Sequence, residues 1–422
     1  MERKRLNGSI MARILIHSLI FKPDGVSTAY LYADLVGELK KHGHKICVLT
    51  TTPHFNIVQE QIAQQPLRKR WGGLFYESIF LDDIKVYHIR MKKSKRMLIR
   101  VIDFVWFHMF ALLMGCCIGK YDIVLSPSPP LTIGVISYLL GKIKGAKAIY
   151  NVQEIYPDFA IKQGAIKNKR IISLLHSIER SIYNNSAAVV TIDTKFEEIV
   201  APRIKDSSKL HVIPNFVDTN LYVPLPRVNA FSTIHGLDDK FVVGYAGNIG
   251  HAQDWQPIIA AAKALRDLPI RFLIVGDGVK KDWVKTQIEE HHLQNVLLLD
   301  YQPREMMPVI NASMDIHTIV MSPSSSKEGF PSKIYTIMSS AKSAIVVTEA
   351  SSPLGDLMRK SEYGKLVSPG DTEAYIKSIA EASQQKEWLI ADGEKGREFI
   401  LKNFSKEAIG EKYNNLVTGL LN

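Results

Sequence analysis

The sequence predicts two doubly wound α/β domains in tandem, each a Rossmann-like parallel sheet flanked by helices. Three observations predict it. Apolar runs of strand length alternate with stretches whose apolar residues recur at helical spacing. Glycine turns follow several of those runs, at Gly25, Gly247, Gly250, Gly276 and Gly278. The alternation then starts afresh beyond Pro214, Pro224 and Pro226. A chain of 422 residues has room for two to three domains, and no repeat of solenoid length is present.

The elements follow in order. ARILIHSLIF is a first strand running to Phe21, with turn residues at Pro23, Asp24 and Gly25. Arg13 and His17 interrupt its apolar run and no small-residue cleavage site follows, so it reads as a buried strand and not as a secretory signal. Residues 1–10 read as an extension ahead of it. Tyr30, Leu31, Leu35 and Leu39 mark one face of a helix, Gly43 ends it, and KICVLTT is the next strand. This is a βαβ unit. Further strands are expected at 84–90, 121–130, 187–193 and 209–215 and in AKAIYNV, with a helix over LTIGVISYLLGKIKG. The second series has strands at 241–250, 271–278, 313–321 and 343–349 and in NVLLLDYQP. Its helices fall over WQPIIAAAKAL and near 332–341. FSKEAIGEKYNNLVTGLLN closes the chain as a helix. The domains are expected at 11–205 and 206–402. In such sheets ligands bind at the carboxyl ends of the strands, and two of them facing each other make an interdomain cleft.

Composition excludes several classes. With 46% hydrophobic and 23% charged residues the chain is globular and not disordered. Its three cysteines, Cys47, Cys116 and Cys117, exclude a disulfide scaffold and provide no zinc-binding cluster. The net charge of +11 is unevenly spread. Residues 1–200 carry 28 Lys+Arg against 16 Asp+Glu, or +12, whereas residues 201–422 carry 25 against 26, or −1. The first half is therefore suited to an anionic partner. No nucleic-acid-binding module or aromatic-basic platform is recognisable, so nucleic acid is not the expected partner.

The most apolar stretch, 97–119, is long enough to span a bilayer. Arg100, Asp103 and His108 within it argue against a span. The basic run RMKKSKR precedes it, and Trp106 and Phe107 lie inside it. That combination favours a peripheral helix at an anionic membrane surface over a buried domain helix.

The glycine turns at Gly25 and at Gly247 and Gly250 let a backbone approach an anion. Neither domain has the GxGxxG fingerprint or a P-loop, which disfavours a dinucleotide oxidoreductase and a P-loop NTPase. The segment most specific in its chemistry is SSSKEGFPSKIYTIMSSAKSAIVV, 324–347. Ser332 is placed to cap a helix beginning near Lys333. The amides of that helix start and the Lys333 ammonium suit a diphosphate, and Glu328 suits sugar hydroxyls.

This segment resembles the Glu-x7-Glu region of the retaining GT-B glycosyltransferases of family four, whose form is close to E-G-F-P-x-K-x-x-E-x-M-A-x-G-x-P-V-I. Glu328, Gly329, Phe330, Pro331, Lys333, Met338 and Val346 match. Thr336 stands at the second Glu, Ala341 at the usual Gly and Ser343 at the Pro. HVIPNFVD is similar to the family's linker motif, and VGDG and YQP to its base-side region, where Gly276, Gly278 and Gln302 fall. YAGNIGHAQDW resembles its first Gly turn, with Asn248 at the position of the usual Arg and Gln253 near that of the usual Lys. That departure, and NVQEIYPD with Gln153 where many relatives have His, resemble a bacterial subgroup making O-antigen, capsule and exopolysaccharide, including N-acetylfucosamine transferases.

The resemblance implies the GT-B fold, with a C-terminal helix, 403–422, returning to the first domain. It implies retaining transfer of a sugar from a nucleotide-diphosphate donor, UDP above others, with no cofactor and no metal. Glu328, Lys333 and Glu154 would be catalytic, with Glu154 toward the acceptor. Gly25, Gly247, Asn248, Gln253, Gly276, Gly278, Gln302, Gly329, Phe330, Pro331, Ser332 and Thr336 would bind the donor. The implied acceptor is a lipid-diphosphate-linked saccharide. The implied location is cytoplasmic, peripheral on the inner face of the plasma membrane. A non-catalytic membrane-binding relative and a nucleotide-sugar epimerase are the alternatives.

Overall fold

The computed structural model describes residues 5–6, 9–55, 59–91, 97–162, 164–327 and 330–422. They form two units, Met1–Asn215 with Ile409–Asn422, and Phe216–Ala408.

The sheet of the first unit has nine strands. They are β1 (Arg13–His17), β2 (Lys45–Thr51), β3 (Arg68–Arg70), β4 (Phe75–Phe80), β5 (Ile84–Ile89), β6 (Ile123–Pro127), β7 (Lys147–Val152), β8 (Ala188–Thr191) and β9 (Leu210–Val212). Their order is β9-β8-β7-β6-β1-β2-β5-β4-β3. The central strands are covered on both faces, which is why they read as continuous apolar runs: Ile14, Leu15 and Ile16 are all buried, as are Ile123, Val124 and Leu125. The pairs from β9 to β5 are parallel, and β3 and β4 add an antiparallel edge hairpin. The sequence reading gave no strand at β3 or β4. Arg68, Lys69 and Arg70 are all exposed, so the edge strand offers no apolar pattern.

Helix α1 (Ser27–Lys41) connects β1 to β2, as the spacing of Leu35 and Leu39 predicts, and both are buried. Helix α2 (Met97–Cys117) is half in the core. Phe107 and Ala111 are buried, and Gly115 lets it approach α3 (Leu131–Lys144) at Leu140. One of its ionisable groups faces a protein partner: His108 Nε2 lies 2.6 Å from Thr132 Oγ1. Burial pushes that imidazole down to about 4. Among the described residues no helix is long and apolar enough to cross a membrane. The last helix, Lys406–Leu421, belongs to this unit from Ile409 onward. Its Tyr413 hydroxyl accepts from Asn151 Nδ2, and Asn414 Oδ1 lies 2.9 Å from His44 Nε2.

In the second unit six strands, β10 (Phe241–Ala246), β11 (Ile270–Val275), β12 (Val296–Leu299), β13 (Ile316–Val320), β14 (Ser343–Val347) and β15 (Lys365–Val367), form one parallel sheet. The order is β12-β11-β10-β13-β14-β15. Strand order reverses between β10 and β13, which makes that edge the topological switch point.

Helix α4 (Lys169–Asn185) carries Glu179, which is fully buried. Its carboxylate accepts from the Tyr183 hydroxyl at 3.0 Å and from Arg203 Nη1 at 2.7 Å, and Arg203 also pairs with Asp158. Removing one partner leaves a buried charge unmatched. Arg203→Met is therefore expected to cost about 3–5 kcal/mol in urea unfolding. Lys195→Met, which breaks the exposed Lys195–Glu198 pair, should cost less than about 1 kcal/mol.

Candidate functional site

The site is built on two adjoining turns at the carboxyl end of the second sheet. After β10 the chain turns at Gly247 and runs through Asn248 and Ile249 to Gly250. After β11 it turns at Gly276 and passes Asp277 to Gly278. The turns are laced together. Gly247 N–H donates to the Val275 carbonyl at 2.9 Å, Ile249 N–H to that of Asp277 at 2.8 Å, and Lys280 N–H to that of Ile249 at 2.9 Å. Gly247 and Gly276 have φ of 143° and 155°, where a side chain is strained. A Cβ on Gly276 would lie 1.9 Å from the Gly247 carbonyl oxygen. Only glycine permits this approach.

Lys333 comes to the same corner. It is the first residue of α5 (Lys333–Ser339), in the connection between β13 and β14. Its Nζ lies 3.5 Å from the centroid of the Tyr245 ring, in cation–π geometry. A Cβ built on Gly247 would be 2.8 Å from the same nitrogen. The amine is buried, with no hydrogen-bond partner among the described residues. Burial alone pushes it down to about 7. The Tyr245 hydroxyl donates to the Asn248 carbonyl at 2.6 Å, which fixes the ring. His317 on β13 is buried and pushed down to about 3, so it stays neutral at pH 7. The corner thus offers an amine with no partner among the described residues and glycine turns beside it, at the switch point of the sheet. It can receive a phosphoryl oxygen, which would restore the ammonium's charge and supply its missing hydrogen bonds.

The structure distributes the other sequence-predicted residues as follows. Asn248 is exposed at the turn. Gln253 is half-buried, and its Oε1 accepts from Gly250 N–H at 3.4 Å. Thr336 donates its hydroxyl proton to the Lys333 carbonyl at 2.8 Å, so its oxygen is left as an acceptor. Gln302 donates to the Asp300 carbonyl at 3.2 Å. The Phe330 ring packs 5.3 Å from that of Tyr335, which stacks 4.7 Å from Phe404. The Pro331 carbonyl accepts from Ile334 N–H at 3.1 Å. Ser332 does precede α5, but its side chain does not cap the helix as the sequence suggested. A capping hydroxyl needs extended backbone, and Ser332 has φ −57° and ψ −16°. Glu328 and Gly329 lie outside the described residues.

Gly25 and Glu154 belong to the first unit. Gly25 N–H already donates to the Phe55 carbonyl at 3.1 Å. Glu154 is half-buried, and burial pushes its carboxyl above the usual range. The Ser128 hydroxyl donates to its backbone carbonyl at 2.9 Å. Sequence reasoning missed two residues. Tyr245 was legible only as an aromatic in a strand of small and aliphatic residues. Asp24 was read as a turn former. It is buried, its Oδ1 accepts from the His54 and Phe55 amides at 2.7 and 2.6 Å, and its Oδ2 has no partner among the described residues. Burial is the main cause that raises its carboxyl. No group of three or more His, Cys, Asp or Glu among the described residues is arranged to hold a metal ion.

Comparison with known proteins bears on both units. Residues 28–221 match the family model of Glycosyltransferase Family 4, and residues 229–406 match that of glycosyl transferases group 1. The chain is 22% identical to the putative colanic acid biosynthesis glycosyl transferase WcaI of Escherichia coli, over 96% of this chain and 100% of that one. It is 25% identical to the probable glycosyltransferase WbjE of Pseudomonas aeruginosa, over 71% and 75% respectively. Among solved structures it resembles Anabaena HepE in complex with UDP, with TM-score 0.71, 14% identity and coverage of 96% and 100%. It also resembles sucrose-phosphate synthase from Thermosynechococcus elongatus, with TM-score 0.70, 14% identity and coverage of 97% and 99%. The chain thus has a glycosyltransferase family 4-like domain followed by a glycosyl transferases group 1-like domain, and its fold is GT-B.

Proposed function

We propose that the chain is a retaining glycosyltransferase acting in the synthesis of a bacterial surface polysaccharide, an O-antigen or capsule. The donor is a UDP-linked sugar, an N-acetylated amino sugar, and the acceptor is a lipid-diphosphate-linked saccharide at the inner face of the plasma membrane. The observation that carries this reading is the buried Lys333 amine, without a hydrogen-bond partner among the described residues, beside the Gly247 and Gly276 turns. The relatives support it. HepE was crystallised with UDP, WcaI is named for colanic acid biosynthesis, and a 121-residue stretch is 28% identical to a 2-deoxystreptamine N-acetyl-D-glucosaminyltransferase of Niallia circulans.

The costly event in such a transfer is departure of the nucleoside diphosphate, which gathers negative charge as the C1–O bond breaks. Lys333 and the turn amides supply fixed positive charge and dipoles at that point, and the reading requires no metal ion. Thr336, with its proton already committed, accepts from a ribose hydroxyl. Glu328 receives sugar hydroxyls, and Glu154 orients the acceptor. The acceptor oxygen bonds to C1 from the face the diphosphate leaves, and its proton passes to the departing phosphate oxygen.

Thermal-shift screening with UDP-, GDP- and dTDP-sugars tests the donor, with stabilisation by a UDP-sugar expected. No response to any nucleotide sugar would overturn the reading. Lys333→Met should weaken UDP binding about 100-fold, the loss of roughly 2–3 kcal/mol from a charge-assisted contact, while leaving thermal stability at pH 7 unchanged or higher. Near-normal affinity in that variant would remove Lys333 from the site.

The same residue predicts a pH dependence. With the folded amine near 7 and the ordinary value at 10.5, the unfolded chain binds the extra proton between those values. Stability should therefore rise with pH through that window, at up to about 1.4 kcal/mol per pH unit, and Lys333→Met should abolish that contribution. Because a bound diphosphate favours the charged amine, UDP binding at pH 8 should take up a proton. Calorimetry in two buffers of different ionisation enthalpy measures it.

A further inference from the structure

Helix α2 presents a row of apolar side chains that the core does not use. Ile102, Val105, Met109 and Leu113 are 65%, 63%, 49% and 54% exposed. Their spacing of three and four residues places them on one face, over about 17 Å of helix. The other face, with Phe107 and Ala111, is buried.

Beside the row stands the tip of the edge hairpin. Trp71 is 73% exposed and held in the left-handed region at φ 47°. A chain of rings ties it to α2: Trp71 to Phe75 at 5.6 Å, Phe75 to Phe110 at 5.5 Å, and Phe110 to Trp106 at 4.0 Å. Trp71, Ile102 and Trp106 border one shallow groove of about 620 Å³, with Arg90 and Asp103 as its charged members. Arg68 and Lys69 are exposed on β3, and with Arg90 they have no ion-pair partner among the described residues. Arg70 is matched by Glu77 at 2.8 Å.

We propose that the α2 row and Trp71 form a docking surface for an anionic lipid bilayer. The apolar row enters the acyl boundary, Trp71 seats at the headgroup level, and Arg68, Lys69 and Arg90 meet the lipid phosphates. The charge decides between occupants. Two copies pairing through this face would set the same arginines and lysine against each other, whereas an anionic membrane neutralises them. The inference rests on the reading of the acceptor as lipid-linked, and it assigns that encounter to one surface of the first unit.

The full-length protein is floated with vesicles of phosphatidylglycerol and phosphatidylethanolamine, and with vesicles of phosphatidylcholine alone. Binding to the anionic vesicles alone, weakened by salt, is expected. Val105→Asp with Met109→Asp should reduce it at least about tenfold, and Trp71→Ser by a smaller factor. Both variants should keep the wild-type melting temperature and UDP-sugar thermal shift. Failure of the wild type to bind anionic vesicles would overturn the proposal, as would unchanged binding by the double variant. A wild-type dimer in sedimentation that the double variant dissociates would assign the face to a second copy and overturn it as well. Vesicle binding requires no turnover. Docking without sugar transfer therefore counts against the transferase reading alone, and transfer to a soluble acceptor without docking counts against this surface alone.

Discussion

Because Gly276 carries no side chain, the carbonyl of Gly247 occupies the space a Cβ would fill, and the edge of the second unit that bears the candidate site follows from that close approach. With the two turns pressed together, the end of β10 is shut on one side by the β11 turn. On the other side, the switch in strand order leaves the end of β10 open toward β13. The connection after β13 delivers Lys333 into that opening, over the face of Tyr245. A side chain at Gly276 would push the turns apart, and one at Gly247 would take the space the amine occupies.

An amine held this way is poorly compensated. A ring face attracts a desolvated cation by about 2 kcal/mol, less than several kcal/mol of effective cost for removing the charge from water. The deficit is left standing, as it commonly is where a fold sacrifices local stability to bind something. Thr336, at the position where the resembled pattern has its second glutamate, has a similar character. A carboxylate would accept with full charge, whereas this hydroxyl is turned inward onto its own helix.

The parallel sheets were legible because buried central strands are simple runs of Val, Ile and Leu, and β1, β2, β6, β10, β11 and β14 all fall where those runs predict. The β3–β4 hairpin was not, since an edge strand made of Arg68, Lys69 and Arg70 has no core to face. Of the site, the glycine turns and Lys333 were legible from spacing and resemblance. Tyr245 was not, because nothing in the sequence distinguishes a ring beneath a lysine from one in the core. Ser332 was misread for a related reason: its residue type suits a cap, but capping depends on a backbone angle that the residue type leaves open. Asp24 escaped notice because its significance lies in the amides of His54 and Phe55, 30 and 31 positions away.

The first unit is discontinuous in sequence. Ile409, Tyr413 and Val417 of the last helix are buried, and Gly410 packs against Glu38, yet Phe216–Ala408 is a unit of its own between them and the rest. On the ribosome the first sheet emerges early and then waits, with the seat of its final helix uncovered, while the whole inserted unit is made. The second unit can close once the helix Lys386–Asn403, which carries the buried Leu389 and Ile400, is out. The order of synthesis and the order of completion are thus opposite. A nascent chain shortened by its last turns would hold a finished second unit joined to a first unit still open to solvent.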